Sequence, residues 1–220
     1  MKHHEPTARL INVIGVDEDN IGEAIYNTLG ATQSTMKNSY LHNGVTDLIL
    51  CNGLETSQWI GEQDTDEVKR IIYGNLTASI EYVNNFVKDT KNDPHIKRII
   101  LIGSLASTMV LNGSSAYCAA KAGLNQYAKC AAYELAKHGY LVHVINPGNV
   151  VDTPMTKRVI KTLESFHNLS PDEAAAYWSK VNNLGEFATR WDIANIVAFL
   201  LTPSARFLSG SAINMPGSNR

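Results

Sequence analysis

Residues 13–25 read VIGVDEDNIGEAI, and this stretch decides the fold of the first part of the chain. A short apolar run ends at Gly15, an acidic loop follows, and helical spacing of apolar residues begins near Asn20. Strand, turn and helix in this order are typical of a nucleotide-binding unit, in which the helix N-terminus faces a phosphate. The turn contains three negative charges, on Asp17, Glu18 and Asp19. These side chains would repel the phosphate that the strand–turn–helix pattern predicts.

Strand and helix signals alternate along the rest of the chain. Apolar runs predict strands at 9–16, 47–52, 98–103, 141–146 and 212–215. Helical spacing covers 20–29, 64–88, 114–138, 155–167, 170–181 and 191–201. Short apolar strands separated by helices argue for a parallel sheet that is covered on both faces. We therefore predict one α/β domain over residues 1–220, a doubly wound, Rossmann-like parallel sheet that binds ligands at the carboxyl ends of its strands.

Composition limits the partners and the location of the protein. The formal net charge of −2 gives no electrostatic reason to expect nucleic acid or a membrane surface as partner. No apolar run approaches the ~20 residues that span a bilayer, and the first residues lack the apolar core of a signal peptide. The three cysteines, an odd number without CxxC spacing, fit free thiols better than disulfides or a zinc site. We expect a cytoplasmic protein with no metal site.

A tyrosine and a lysine lie four residues apart in the sequence SSAYCAAKAG. That spacing places Tyr117 and Lys121 on one face of the predicted helix. An ammonium beside a phenol favours the phenolate, and we expect Lys121 to lower the pKa of Tyr117 toward the range of an acid/base catalyst. Such pairs are also common as surface neighbours on helices, so the pair alone is weak evidence of catalysis.

Further polar residues stand where a ligand site is expected. Ser104 follows the apolar run 98–103, at the edge where a parallel sheet places its ligand. Asn75 follows Gly74 inside the predicted helix 64–88, which is locally costly and suggests a kink or a functional role. Pro147 and Gly148 end the next strand, where backbone is able to approach a flat ring.

In this order, the motifs resemble those of the short-chain dehydrogenase/reductase family. The similarity runs from residue 9 to residue 217 and is strongest over 64–155. Asn75, Ser104, Tyr117 and Lys121, followed by NPGNVVDTPM, resemble the catalytic tetrad of that family and its Pro-Gly turn. The segment TRWDIANIVAFLLTPSARFLSGSAINMPG, which begins at residue 189, resembles the last helix and strand of the family.

The resemblance implies a role for each residue. Tyr117 would exchange a proton with a substrate carbonyl or alcohol oxygen, and Ser104 would hydrogen-bond that oxygen. Lys121 would lower the pKa of Tyr117 and bind the nicotinamide ribose, while Asn75 would hold a water that links Lys121 to solvent. The implied cofactor is NAD or NADP, without a preference. The residues implied to bind it are Gly15, Asn20, Ile21, Gly22, Asn52, Gly53, Tyr117, Lys121, Pro147, Gly148 and Thr153.

Two departures from the family pattern predict a lower affinity for the cofactor. The first loop of the family is Gly-x-x-x-Gly-x-Gly, whereas here the turn is one residue longer and Asn20 replaces the middle glycine. Between residues 31 and 46 there is room for only one short strand, near 31–36, where the family fits two strands and two helices. We therefore expect six strands, with one strand–helix unit missing on the adenosine side.

Two functions remain open at this point. The complete tetrad favours a NAD(P)-dependent oxidoreductase that interconverts a small-molecule carbonyl and a secondary alcohol. The altered first loop favours a non-catalytic relative that senses the cofactor or serves as a scaffold. In either case, residues 153–187 are expected to form a lid over the substrate site. The helices 64–88 and 114–138 resemble those through which family members pair, so we expect a homodimer or homotetramer with two-fold contacts and no nucleic-acid or membrane partner.

Overall fold

Five parallel strands form one sheet in the order β1–β2–β3–β4–β5 in the computed structural model, which describes residues 3–6, 9–29, 44–179, 184 and 186–217. The strands are β1 (Ile11–Ile14), β2 (Asp47–Leu50), β3 (Lys97–Ile102), β4 (Tyr140–Pro147) and β5 (Ala212–Met215). Every neighbouring pair is parallel and in a continuous register, from Ile11 beside Asp47 to Pro147 beside Met215. The predicted parallel α/β sheet is confirmed. The sixth strand, expected near 31–36, lies outside the described residues.

Helices cover both faces of this sheet. They are α1 (Ile21–Leu29), α2 (Thr65–Ile72), α3 (Ala78–Thr90), α4 (Ser115–Leu135), α5 (Pro154–His167), α6 (Pro171–Ser179) and α7 (Arg190–Leu200). On one face, α3 and α4 pack on Leu50, Leu101 and Val144. On the other, α1 and α7 pack on Ile49, Ile100 and Ile145. The strand interiors are mainly apolar, with buried polar exceptions such as Asn12 and His143, because helices cover both faces of the sheet. This is the pattern that predicted a doubly wound sheet.

The long helix predicted over 64–88 is interrupted in the middle. A π-helical turn, Tyr73–Thr77, joins α2 to α3, and the amide of Ala78 donates to the carbonyl of Tyr73, five residues back. Asn75 lies inside this turn and is fully buried. The local irregularity that Gly74 and Asn75 suggested is therefore present as a π turn. Such turns within α-helices often mark functional sites.

Within the described residues, no helix is both long enough and apolar enough to cross a membrane.

Candidate active site

Two adjoining cavities open at the carboxyl ends of the strands. The smaller, of about 220 Å³, is lined by Ser104, Tyr117 and Lys121. The same cavity includes six of the other residues expected to bind the cofactor, which are Ile21, Asn52, Gly53, Pro147, Gly148 and Thr153. The larger cavity, of about 690 Å³, is lined by Gly15 and Asn20 and shares Asn52 and Gly53 with the smaller one. The fold thus brings residues from four strand ends into one continuous site.

Tyr117 and Lys121 project from the first two turns of α4. The side chain of Lys121 is buried, its Nζ donates to the carbonyl oxygen of Ile102 at 3.1 Å, and it lies 5.8 Å from the centroid of the Tyr117 ring. Burial lowers the pKa of Lys121 to about 8, because the ammonium loses hydration that the single carbonyl only partly replaces. The lysine is therefore charged at neutral pH but is close to losing its proton.

The expectation that the pKa of Tyr117 lies below its ordinary value is wrong for this structure. The pKa of Tyr117 is raised, because burial deprives the phenolate of hydration. Hydrogen bonding with Ser104 opposes this effect only in part, and the nearby carboxylate of Glu55 adds to the increase. Tyr117 is consequently a protonated phenol at neutral pH, which suits a proton donor.

Ser104 is fixed by an asparagine that sequence reasoning missed. Its backbone amide donates to Oδ1 of Asn146 at 3.0 Å, and Nδ2 of Asn146 donates to Oδ1 of Asn214 on β5 at 2.9 Å. A β-carbon on Gly103 would lie 2.1 Å from Oδ1 of Asn146, so only glycine permits this approach. Asn146 is the one side-chain amide within the apolar run 141–146, and an amide in a buried strand was the signal available in the sequence.

Oγ of Ser104 accepts the amide of Ala106 at 3.2 Å and begins a short 3-10 helix, Leu105–Ser107. A hydroxyl that accepts this bond keeps its own proton available as a donor into the cavity. Ser104 therefore combines a fixed backbone with a hydroxyl that hydrogen-bonds with Tyr117 at the cavity.

Asn75 lies directly behind the cavity wall. Its Nδ2 donates to the carbonyl oxygens of Leu54 and Ile71, at 2.8 and 2.9 Å, and its Oδ1 accepts the amide of Leu54 at 3.1 Å. These bonds hold the loop that follows β2 against the π turn. A β-carbon on Gly53 would lie 3.4 Å from Oδ1 of Asn75 and 3.7 Å from Nζ of Lys121, so Gly53 keeps a small space between these two polar atoms.

The first loop accommodates its extra residue through Asn20. Nδ2 of Asn20 donates to the carbonyl of Gly15 at 2.9 Å, and its Oδ1 accepts the amide of Glu23 at 2.9 Å, which caps α1. Gly15 has a φ of 81°, and a β-carbon there would lie 2.8 Å from the amide nitrogen of Asn52. A β-carbon on Gly22 would lie 2.4 Å from the carbonyl oxygen of Gly15. Both glycines are therefore required for the close approach of this loop to its neighbours.

The acids of this loop are not all free to face an anion. Asp19 adopts a φ of 57°, and its Oδ1 accepts Nη1 of Arg190 at 2.8 Å. Arg190 also lies 3.4 Å from Oε2 of Glu23 and 3.5 Å from Oδ2 of Asp152. Asp17 lines the larger cavity. The sequence-based expectation of three opposing charges overlooked this arginine, which lies 171 residues away from Asp19.

The turn after β4 forms the opposite wall of the smaller cavity. The amide of Gly148 donates to the carbonyl of Met215 at 3.2 Å, which ties this turn to β5. Thr153 is buried, and its Oγ1 accepts the amide of Thr156 at 3.3 Å as the cap of α5. The hydroxyl expected to seat the nicotinamide therefore also caps the start of α5.

Helix α5 lies over the loop that follows β2. Arg158 on α5 forms an ion pair with Glu55, which itself lines the smaller cavity. Phe166 stacks on Trp59, with ring centroids 4.9 Å apart. A side chain at position 113 would clash with Phe166, which occupies the space above Gly113. These contacts hold α5 against the loop that follows β2, beside the smaller cavity.

The chain was compared with known proteins. A family model described as enoyl-(acyl carrier protein) reductase matches residues 31–217. The 3-oxoacyl-(acyl-carrier-protein) reductase FabG of Salmonella typhimurium is 31% identical over 186 residues, which are 84% of this chain and 71% of that relative.

Solved structures have the same fold. A short-chain dehydrogenase family protein from Francisella tularensis superposes with a TM-score of 0.79 at 22% identity, covering 96% of this chain and 98% of its own. An actinorhodin polyketide ketoreductase with NADPH superposes with a TM-score of 0.76 at 22% identity, covering 91% of this chain and 74% of its own. Because the family model and the sequence relative each cover most of the chain, the protein belongs to the short-chain dehydrogenase/reductase family.

Proposed function

We propose that the protein is a NAD(P)-dependent oxidoreductase that interconverts a carbonyl and a secondary alcohol, with Tyr117 as its general acid/base. The observation that carries the proposal is the convergence of Ser104, Tyr117 and Lys121 on one cavity at the carboxyl ends of the strands. Family membership supports the same reaction class. Because these residues come from β3 and α4, ordinary packing does not require their polar groups to meet.

The residues present fit a dinucleotide. Gly15 and Gly22 leave room for backbone to approach a pyrophosphate at the N-terminus of α1, where amide groups and the helix dipole favour an anion. The larger cavity extends from this loop along Asn52 and Gly53, and the smaller one continues to Tyr117. The nicotinamide, when bound, supplies or accepts the hydride.

The residues of the smaller cavity would hydrogen-bond the substrate oxygen and transfer its proton. Tyr117, a protonated phenol at neutral pH, donates a proton to the oxygen during reduction. Ser104 donates a hydrogen bond to the same oxygen as negative charge develops on it. Lys121 places a positive charge near both groups and offers donors to a ribose hydroxyl. Its charge favours the tyrosinate that remains after proton transfer.

In this proposal Asn75 positions the backbone of Leu54 and a water beside Lys121. Its side chain fixes Leu54, and the space above Gly53 lies between its Oδ1 and the ammonium of Lys121. A water in this space would have two polar partners, as buried waters require. Such a water would link Lys121 to solvent and would return a proton to Tyr117 by way of Lys121. The role proposed for Asn75 is to hold this water.

The small size of the site favours a compact substrate. Glu55, Thr56, Ser57 and Ser114 line the smaller cavity opposite the cofactor side, and its volume of about 220 Å³ is below the ~300 Å³ typical of drug-sized ligand sites. The FabG relative is named for reduction of 3-oxoacyl groups on a carrier protein, and a long acyl chain would require the lid to open. We therefore infer that residues 153–187 act as a lid and that a short carbonyl compound is the preferred substrate.

The deciding experiment is to incubate the protein with NADH or NADPH and a panel of carbonyl compounds. The panel contains short hydroxyketones, aldoses and a 3-oxoacyl thioester, and the absorbance of the reduced nicotinamide is followed. Turnover with a short compound supports the proposal. Tight cofactor binding without turnover on any compound would instead favour the cofactor-sensing or scaffolding alternative.

Assembly as a homodimer or homotetramer is part of the proposal. Ala128, Ala131 and Ala132 on α4 are buried against the sheet of the same chain. Tyr133 on the opposite side of this helix is 86% exposed and remains available for contact. We expect light scattering at micromolar concentration to give the mass of two or four chains, and we retain the cytoplasm as the expected location.

A further inference from the structure

Arg190 joins the two loops that border the proposed cofactor site. It is the first residue of α7, and its side chain is 15% exposed. On one side its guanidinium contacts Asp19, at the tip of the loop between β1 and α1, with Nη1 2.8 Å from Oδ1. On the other side Nε lies 3.5 Å from Asp152, in the turn between β4 and α5. One cation therefore spans the gap between the first loop and the base of the lid.

Backbone contacts make this arrangement more specific than a chance surface ion pair. The amide of Arg190 donates to Oδ1 of Asp152 at 2.8 Å. Thr189 and Asp192 form a capping box that fixes the start of α7, and with it the position of Arg190. The amide of Asp19 donates to Oε2 of Glu23 at 2.9 Å, which holds Asp19 in its left-handed conformation. Isolated exposed pairs contribute little, but a network with backbone anchors fixes geometry.

The position of this network matters because the first loop carries acids where a pyrophosphate is expected. An unpaired carboxylate of Asp19 would repel that anion from the N-terminus of α1. We propose that Arg190 is a positioning residue for the cofactor: it holds the carboxylate of Asp19 to one side and offsets its charge, so that the acidic loop accepts a pyrophosphate. The inference rests on the proposed use of NAD(P), but not on the catalytic roles of Tyr117 or Ser104.

The test is a double-mutant cycle on cofactor affinity. Dissociation constants for NADH and NADPH are measured by fluorescence for the wild type, Arg190→Met, Asp19→Asn and the double variant. Methionine keeps much of the aliphatic volume while removing the charge. We expect Arg190→Met to weaken binding by about tenfold, the equivalent of ~1.4 kcal/mol. Asp19→Asn should restore most of this loss in the Arg190→Met background, because the charge that Arg190 offsets is then absent.

Two further variants separate charge from position. Arg190→Lys keeps the charge but not the planar fork that reaches two loops, and it should bind with intermediate affinity. Arg206→Met removes an exposed arginine from the 3-10 helix Pro203–Leu208, away from both loops, and should leave affinity unchanged. Thermal unfolding of every variant is measured in parallel, because a purely structural role would lower the melting temperature without the recovery in the double variant.

Each other outcome overturns the inference in a distinct way. Were Arg190 itself a ligand of the pyrophosphate, Asp19→Asn alone would tighten binding and the double variant would stay weak. Unchanged affinity of Arg190→Met would show that the network has no bearing on the cofactor. A wild-type protein that binds neither nucleotide would overturn the proposed use of NAD(P) together with this inference, whereas the preceding outcomes leave that use intact.

Discussion

Nζ of Lys121 lies 5.8 Å from the centroid of the Tyr117 ring and is held there by the carbonyl of Ile102. This hydrogen bond fixes the distance between the lysine ammonium and the phenol ring. Burial displaces the two pKa values in opposite directions, that of Tyr117 upward and that of Lys121 down to about 8. At neutral pH the pair thus consists of a protonated phenol and a charged ammonium, which is the state required for reduction of a carbonyl.

Replacing Tyr117 by phenylalanine should abolish turnover while preserving cofactor binding. The change removes the proton donor but leaves the ring and the helix packing, and general acid/base groups contribute about 10²- to 10⁴-fold in rate. Steady-state rates and nucleotide affinity are measured on the same preparation. Tyr133→Phe, on the same helix but with an 86% exposed side chain, is the matched control and should behave as wild type. A Tyr117→Phe variant that keeps most of its rate would contradict the assignment.

The rate of carbonyl reduction should fall as the pH rises through about 8. Lys121 is protonated below its pKa of about 8 and neutral above it, and loss of this charge removes the group that favours the tyrosinate product. Tyr117, whose pKa is raised, keeps its proton over the same range and does not cause the decline. The measurement is kcat/KM for reduction as a function of pH. A profile that stays flat well above pH 8 would show that the ammonium is not needed.

The sequence predicted the parts of the site that depend on local spacing. Tyr117 and Lys121 share a helix face because they are four residues apart, and Ser104 lies at the sheet edge because it follows a strand. Contacts between distant segments were not predictable in this way: Asn146 is 42 residues from Ser104, and Arg190 is 171 residues from Asp19. The sign of the Tyr117 pKa shift was missed for a related reason, since burial depends on the whole fold.

Gly53→Ala should slow the reaction while leaving the fold intact. The added methyl group would meet Oδ1 of Asn75 at 3.4 Å, Nζ of Lys121 at 3.7 Å and Cε of Met155 at 3.8 Å, all ordinary van der Waals distances. The substitution fills the space proposed for a bridging water, and we expect a loss in kcat on the order of tenfold. Thermal unfolding should be unchanged within a few degrees. Full activity of a well-folded Gly53→Ala would exclude a role for this space in proton transfer.

Lys121→Met should stabilise the protein while it abolishes turnover. The folded-state pKa of Lys121, about 8, lies below its ordinary value of 10.5, so the fold disfavours the charged form. The cost of burying the Lys121 charge lowers the stability in full below pH 8, where both the folded and the unfolded chain carry the charge. Between pH 8 and 10.5 the folded chain has lost this charge, so the free energy of unfolding rises with pH in that range. This difference between the two pKa values of Lys121 corresponds to a loss of folding stability on the order of 3 kcal/mol at neutral pH.

A methionine of similar volume avoids the penalty and loses only the bond to Ile102, so we expect a higher melting temperature at pH 7. Unfolding followed from pH 7 to 10.5 should show the rise in stability for the wild type and a smaller rise for Lys121→Met. A buried charge kept at a cost to stability is expected of a functional group. A variant that is less stable than wild type at every pH would instead make Lys121 a structural residue, held in place chiefly for its bond to Ile102.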